Sequence, residues 1–112
     1  MDCIFCKIAE KTADAKIVLE DDFYMAFWSI KPQAPVDLIV IPRLHVSKKE
    51  SMSGFSPLLW DQMMKFTAEA IRTMGLDKTG YRIVNNGAGY NQIDHEHVHI
   101  LGGPNWRPQD DL

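Results

Sequence analysis

The sequence predicts an α+β fold: an antiparallel five-stranded sheet with one long helix and a short N-terminal helix. Short segments of strand-forming residues lie on both sides of a single stretch with helical periodicity, an order that is typical of this fold class. The 112 residues, 46% of them hydrophobic, suit one compact domain over residues 1–112. Its core would be modest in size, so dimerisation would help to stabilise it.

The N-terminal half predicts a short helix followed by three strands. A helical turn over residues 3–10 would place the thiols of Cys3 and Cys6 on one side. The three strands cover residues 16–20, 23–29 and 36–41. The acidic pair at 21–22 favours a hairpin between the first two, and the apolar third strand is expected at the centre of the sheet. The polar, glycine-containing segment 47–56 predicts a surface loop.

The long helix is predicted over residues 57–74. Ser56 can cap it, Pro57 suits its first position, and a glycine follows its end. Its apolar residues recur every three or four positions and form one stripe: Leu59, Met63, Phe66, Ala70, Ile71 and Met74. A fourth strand over residues 81–85, the turn-rich segment 86–92 and a fifth strand complete a second antiparallel hairpin.

The predicted fifth strand holds three of the chain's four histidines at alternate positions. Side chains alternate between the two faces of a strand, so His95, His97 and His99 would share one face. In a helix they would spread over about 200°. Along a strand, neighbouring imidazoles lie about 6 to 7 Å apart. This spacing lets two or three of them contact one small anion or metal ion.

Charge and composition exclude several classes of function. Twelve Lys and Arg residues against fifteen Asp and Glu residues give a formal charge of -3, with no basic block, so a nucleic-acid polymer is not expected as a partner. No apolar stretch approaches the length of about 18 residues that spans a membrane, and no export signal opens the chain. We therefore expect a cytoplasmic protein without membrane contact.

The histidine strand suits phosphoryl-transfer chemistry. A neutral imidazole on a rigid strand is a nucleophile towards phosphorus, and a protonated histidine two residues away can help an amine or a phosphate to leave. The turn 86–92 contains glycines that let backbone N–H groups point at a phosphate. The alternative is a zinc ion that is held by two or three of these histidines and activates a water.

The segment 95–101 resembles the signature of the histidine triad (HIT) family of nucleotide hydrolases and transferases, in its nucleoside phosphoramidase-like branch. Residues 3–8, 31–35 and 41–45 are similar to other landmarks of that family, so the resemblance runs over nearly the whole chain. It implies a homodimeric histidine triad protein that hydrolyses a purine nucleotide derivative, a nucleoside phosphoramidate or an aminoacyl adenylate. A non-catalytic regulatory protein that binds a nucleotide or another protein is the alternative.

The resemblance also implies roles for single residues. His97 would form a covalent nucleotidyl intermediate, while His99 would contact the phosphate and the leaving group. The implied substrate contacts are Asn85, Gln92 and Ile93 near the phosphate and Phe27, Ile30, Leu38 and Trp106 along the pocket wall.

The chain departs from the family pattern in three places. Ser29 stands where the family usually has an aspartate that accepts hydrogen bonds from the ribose hydroxyls, and serine is shorter and uncharged. Glu96 stands where the family prefers an apolar residue. Burying a carboxylate alone is costly, so we expect Glu96 to be either solvated or paired. The run 90–92 also differs from the glycine, glutamine and serine of close relatives.

The two cysteines indicate a second site. They are too few for a disulfide scaffold, and their two-residue gap is typical of half a tetrahedral zinc site. The resemblance implies a structural zinc held by Cys3, Cys6, His45 and His95. A redox pair, or two small buried apolar side chains, are the alternatives.

Overall fold

The computed structural model describes residues 2–54 and 57–106, and it confirms the α+β prediction. One five-stranded antiparallel sheet has the strand order β1-β2-β3-β5-β4, with β3 at its centre as expected. The strands are β1 Ile17–Glu20, β2 Tyr24–Trp28, β3 Val36–Pro42, β4 Tyr81–Val84 and β5 Val98–Gly102. The helices are α1 Ile4–Ala9, α2 Lys48–Met52, α3 Pro57–Thr73 and α4 Leu76–Thr79.

The alternation of side chains along the strands gives the sheet two apolar faces. On one face Leu38 and Val40 pack with the buried stripe of α3, which consists of Leu59, Met63, Phe66, Ala70 and Ile71, with Met74 partly buried beside it. On the other face Ile39 and Ile41 pack against α1. The predicted stripe is therefore confirmed, whereas the predicted cap Ser56 lies outside the described residues. Among the described helices, none is long and apolar enough to cross a membrane.

The prediction of a loop over residues 47–56 was wrong in part, because α2 begins there. The Ser47 side chain accepts a hydrogen bond from the Glu50 N–H, and the Glu50 carboxylate accepts one from the Ser47 N–H. This reciprocal capping box stabilises one helical turn in a polar segment. The short helix α4, which follows Gly75, was not predicted either.

The histidine strand is shorter than predicted. β5 begins at Val98, so His99 alone of the three histidines lies within it. The pairing of β3 with β5 ends at Val40 and Val98, and the backbone before that point leaves the sheet: the Glu96 N–H donates to the Val46 carbonyl oxygen at 2.6 Å. His95 and His97 are therefore held by other contacts.

Candidate active site and metal cluster

A cavity of about 590 Å³ lies on the α1 side of the sheet, within the usual size of small-molecule sites. His97 and His99 form part of its wall, and their ring centroids are 5.3 Å apart. Apolar residues of α1, β2 and β3 line another part: Phe5, Ile8, Phe27, Trp28 and Ile39. The loop before the histidines contributes Asn86, Tyr90, Asn91, Gln92 and Ile93.

The ring of His97 is held with one nitrogen free. Its Nδ1 lies 2.8 Å from the carbonyl oxygen of His95. Because a carbonyl can only accept, Nδ1 carries the proton and Nε2 keeps its lone pair. The ring packs edge-on against Phe5, with centroids 5.0 Å apart. Burial, and the neighbouring His99, lower the pKa of His97 below its ordinary value, which favours the neutral, nucleophilic form.

The ring of His99 has a carboxylate partner. Its Nδ1 lies 3.2 Å from Oδ1 of Asp37, a buried residue of β3. The other carboxylate oxygen of Asp37 accepts the Gln33 N–H at 3.0 Å. A carboxylate can only accept from a ring N–H, so Nε2 of His99 is left for a further partner.

The backbone of His97 is held by side chains, since it lies before β5. Its N–H donates to Oε1 of Glu96 at 3.0 Å, and its carbonyl oxygen accepts from Nδ2 of Asn85 at 2.9 Å. The same Asn85 amide donates to Glu96 at 2.8 Å. These contacts fix both polar backbone groups of His97.

Glu96 is buried and paired, which decides between the two expectations for this residue. Its carboxylate accepts hydrogen bonds from Ser51 and Asn85, and Lys48 Nζ lies 3.0 Å from Oε2. Burial alone would raise the pKa of Glu96, but these three donors lower it below the ordinary value. The carboxylate is therefore charged, and α2 supplies two of its partners.

Several N–H groups of residues 86–93 are hydrogen-bonded within that segment. Those of Tyr90 and Ile93 donate to the carbonyl oxygens of Gly87 and Asn91, and that of Gly89 donates to the Asn91 side chain at 3.3 Å. Ala88, Gly89 and Gln92 have positive φ angles, so the chain turns sharply here. The Ile93 N–H is thus already paired with the Asn91 carbonyl oxygen, and Ile93 is one of the residues that line the cavity.

Four potential metal ligands converge next to this cavity. The ligand atoms of Cys3, Cys6, His45 and His95 all lie within 4.8 Å of one another, close enough to hold a metal ion. Three of these pairs join Cys3 Sγ to His95 Nδ1 at 3.4 Å, Cys6 Sγ to His45 Nδ1 at 3.4 Å, and Cys6 Sγ to His95 Nδ1 at 3.6 Å. In a tetrahedral zinc site, bond lengths of about 2.3 Å to sulfur and about 2.0 Å to nitrogen separate the two atoms by about 3.5 Å.

The protonation pattern of the cluster also suits a cation. His95 Nε2 lies 2.7 Å from the Pro42 carbonyl oxygen, which fixes the proton there and points the Nδ1 lone pair at the thiols. Burial, together with the neighbouring Cys3, raises the pKa of Cys6 to about 11, so a thiolate at this position needs a cation beside it. Two thiols and two imidazoles confined in this way form a donor set that zinc prefers.

The structure brings together only part of the predicted substrate site. Five of the predicted residues border the cavity: Phe27, Ser29, Ile30, Gln92 and Ile93. Leu38 is fully buried against the opposite face of the sheet. The Asn85 side chain is bound to Glu96 and His97, and the neighbouring Asn86 borders the cavity instead. Trp106 follows β5, and the described residues that line the cavity do not include it.

The sequence interpretation missed Asp37, Phe5 and Lys48. Asp37 had a recognisable signal, since it is the single charge within the apolar segment 36–41. Phe5 contacts the rings of both His95 and His97, but its spacing in the N-terminal helix gave no indication of this role. Lys48 lies in the segment that was predicted to be a loop.

Comparison with known proteins agrees with the fold. Residues 10–105 match the HIT domain. Protein HitA of Neisseria gonorrhoeae is 38% identical over 104 residues, which cover 91% of this chain and 96% of that protein. A histidine triad protein from Clostridium difficile superposes with a TM-score of 0.87 at 32% identity, over 98% of this chain and 97% of that one. A HIT family hydrolase from Legionella pneumophila has a TM-score of 0.78 at 34% identity, over 91% and 93%.

Proposed function

This chain belongs to the HIT domain family, and we propose that it hydrolyses nucleoside monophosphate derivatives through a covalent nucleotidyl intermediate on His97. The similarity to the Legionella pneumophila hydrolase supports a hydrolase of this family. The geometry of the cavity wall supports the covalent step on His97.

One observation carries the proposal: the contact from His97 Nδ1 to the His95 carbonyl oxygen, at 2.8 Å. It leaves the Nε2 lone pair as the nucleophile of a residue that borders the cavity. After attack on phosphorus the ring becomes positively charged, and the carbonyl dipole stabilises that charge. The lowered pKa keeps the ring neutral before the attack.

The reaction has two balanced steps. In the first, His97 Nε2 bonds to phosphorus, the bond from phosphorus to the leaving nitrogen breaks, and that nitrogen takes a proton from His99 Nε2. In the second, a water oxygen bonds to phosphorus, the bond to His97 breaks, and His99 Nε2 takes a proton from the water. The products are a nucleoside monophosphate and a free amine, and both histidines return to their initial states.

The cavity supports a purine nucleoside derivative as the substrate. Phe27 and Ile30 border it and offer apolar contacts for a base, while Gln92 and Asn86 offer polar groups on the loop side. The leaving groups that suit this chemistry are the amine of a phosphoramidate and the aminoacyl group of an adenylate. Ser29 borders the cavity as a neutral anchor for the ribose.

We further propose that the cluster of Cys3, Cys6, His45 and His95 holds a structural zinc ion. When bound, the ion would cross-link α1 to the segment that precedes β5. It would take no part in catalysis. The distances within the cluster and the orientation of the His95 ring support this assignment. A site of two thiolates persists in a reducing compartment, which supports a cytoplasmic location.

A homodimer is also part of the proposal. β4 is an edge strand of the sheet, and Tyr81 on it is exposed, as are Leu58 and Met64 on α3. An edge strand and exposed apolar side chains favour association with a second copy. Sedimentation equilibrium at micromolar concentration should give twice the mass of one chain.

The test of the catalytic proposal compares the wild-type protein with His97→Asn on adenosine 5′-phosphoramidate. The Asn amide can still donate to the His95 carbonyl oxygen, so the local structure is preserved while the nucleophile is removed. Turnover should fall by about four orders of magnitude or more, as for the loss of a covalent nucleophile. Mass spectrometry of the wild-type protein, quenched and analysed without acid, should detect a nucleotidyl group on His97 early in the reaction.

The melting temperature of the variant serves as the folding control. His97→Asn protein that melts normally and retains turnover would overturn the covalent mechanism. Wild-type protein that binds adenosine monophosphate tightly but turns over none of the phosphoramidate or adenylate substrates would instead support the regulatory alternative.

A further inference from the structure

The register of β3 and β5 brings Asp37 next to His99. His99 pairs with Ile39, and Asp37 lies two residues further along β3, so the two side chains are diagonal neighbours on one face of the sheet. Oδ1 of Asp37 and Nδ1 of His99 are 3.2 Å apart. This face also carries the cavity wall, which His99 lines with a partly exposed side chain, whereas Asp37 is buried beneath it.

The surroundings of Asp37 make His99 its natural charge partner. The carboxylate is 1% exposed, and a buried carboxylate is costly unless it is paired. Its contacts are the Gln33 N–H, which is neutral, and the imidazole of His99. The other buried carboxylate, on Glu96, has Lys48 as its cation, and no lysine or arginine forms an ion pair with Asp37 among the described residues.

We propose that Asp37 is a positioning residue, which holds His99 with its Nδ1–H towards β3 and its Nε2 towards the leaving group. The inference rests on the proposed function. In the first step His99 Nε2 gives its proton to the leaving nitrogen, and in the second it takes a proton from water. Asp37 neither gives nor takes a proton, and it balances the positive charge that His99 carries before the first step and regains in the second.

The test compares Asp37→Asn with the wild-type protein on two adenosine monophosphate derivatives. The amide keeps the shape of the side chain but removes its charge. With an alkylamine leaving group, kcat should fall by about a hundredfold, the lower end of general acid catalysis, with little change in KM. With p-nitrophenolate, which leaves without a proton, the rate of the first step, measured as the pre-steady-state burst of p-nitrophenolate, should change little.

Asp61→Asn is the matched control, because it makes the same carboxylate-to-amide change on the exposed side of α3. It should leave both substrates unaffected. An equal loss of the first-step rate with both leaving groups in Asp37→Asn would mean that Asp37 has a general structural role, and would overturn the proposal.

Nitrogen NMR of the wild-type protein tests the orientation without any turnover. The neutral His99 ring should carry its proton on Nδ1, and the Asp37→Asn protein should lose this preference. A neutral wild-type ring protonated on Nε2 would overturn the inference whether or not the variant folds. Absence of wild-type turnover would contradict the proposed function, while the NMR result would still decide how Asp37 orients His99.

Discussion

The Nδ1 of His97 donates a hydrogen bond to the carbonyl oxygen of His95, 2.8 Å away. The side chain of His95 points in another direction, with Nδ1 at 3.4 Å from Cys3 Sγ. The ring of His95 thus belongs to the cysteine–histidine cluster, while its backbone carbonyl holds the ring of His97 at the cavity wall. Any change in the cluster that moves His95 therefore also moves the acceptor that orients His97.

The first prediction concerns metal content. The purified protein should contain about one zinc ion per chain, and Cys3→Ser combined with Cys6→Ser should remove it. Because the ion binds only the folded chain, its loss should lower the free energy of unfolding by about 2.7 kcal/mol where free zinc is a hundredfold above its Kd. Plasma emission spectrometry and thermal melts measure both effects. Metal-free wild-type protein whose melting temperature does not respond to added zinc would favour two buried cysteines without an ion.

The second prediction concerns the link from the cluster to His97. Cys6→Ser should lower kcat by about tenfold to a hundredfold with little effect on KM, because a displaced acceptor lets the nucleophile rotate away from its reactive orientation. Steady-state kinetics of the folded variant, at a temperature well below its melting transition, measure this effect. Unchanged kcat in a folded protein without zinc would show that His97 keeps its orientation by other contacts.

The third prediction concerns the ion pair between Lys48 and Glu96. Lys48→Met should lower the free energy of unfolding by about 1.5 to 3 kcal/mol, because it leaves a buried carboxylate with one donor fewer. Urea denaturation measures the loss. The loss of unfolding free energy caused by Lys48→Met should be smaller in a Glu96→Gln background, since the neutral amide does not need the cation.

Lys65→Met is the matched control for this prediction. Lys65 forms an exposed pair with Asp61 one turn away on α3, at 3.1 Å. Exposed helical pairs contribute about 0.3 to 0.5 kcal/mol, so this variant should be nearly neutral. Equal losses in the two lysine variants would mean that Glu96 is solvated in the folded protein.

Much of the fold followed from local patterns in the sequence. The spacing of apolar residues predicted α3 and its buried stripe, and the acidic pair predicted the hairpin of β1 and β2. The histidine spacing predicted that His97 and His99 lie together, as their rings do. These features depend on residues close together along the chain, so their periodicity carries the information.

The features that the sequence did not reveal depend on distant residues. β5 begins only at Val98 because its pairing with β3 stops there, and no local pattern marks that point. The contact of Asp37 with His99 joins residues 62 positions apart, and that of Lys48 with Glu96 joins residues 48 positions apart. Such contacts depend on which segments become neighbours in the fold, and no local pattern shows this.

Ser29 is the position at which the cavity differs from the family pattern in a way that bears on substrates. It follows β2 at the edge of the cavity, and its Oγ accepts a hydrogen bond from the Lys31 N–H at 3.2 Å. Its hydroxyl can still donate one hydrogen bond, but it offers no charge to a ribose.

The fourth prediction is that Ser29→Asp tightens binding of ribonucleotide substrates. A carboxylate that accepts from both ribose hydroxyls should contribute about 1.5 to 3 kcal/mol, which lowers KM by roughly tenfold to a hundredfold. A 2′,3′-dideoxy substrate lacks the hydroxyls, so its KM should change little. Ser29→Asn is the matched control, since the amide has nearly the same shape but no charge, and it should give only a small gain. If KM for both substrates responds equally, or for neither, residue 29 does not face a ribose, and a ligand other than a nucleoside then fits this cavity better.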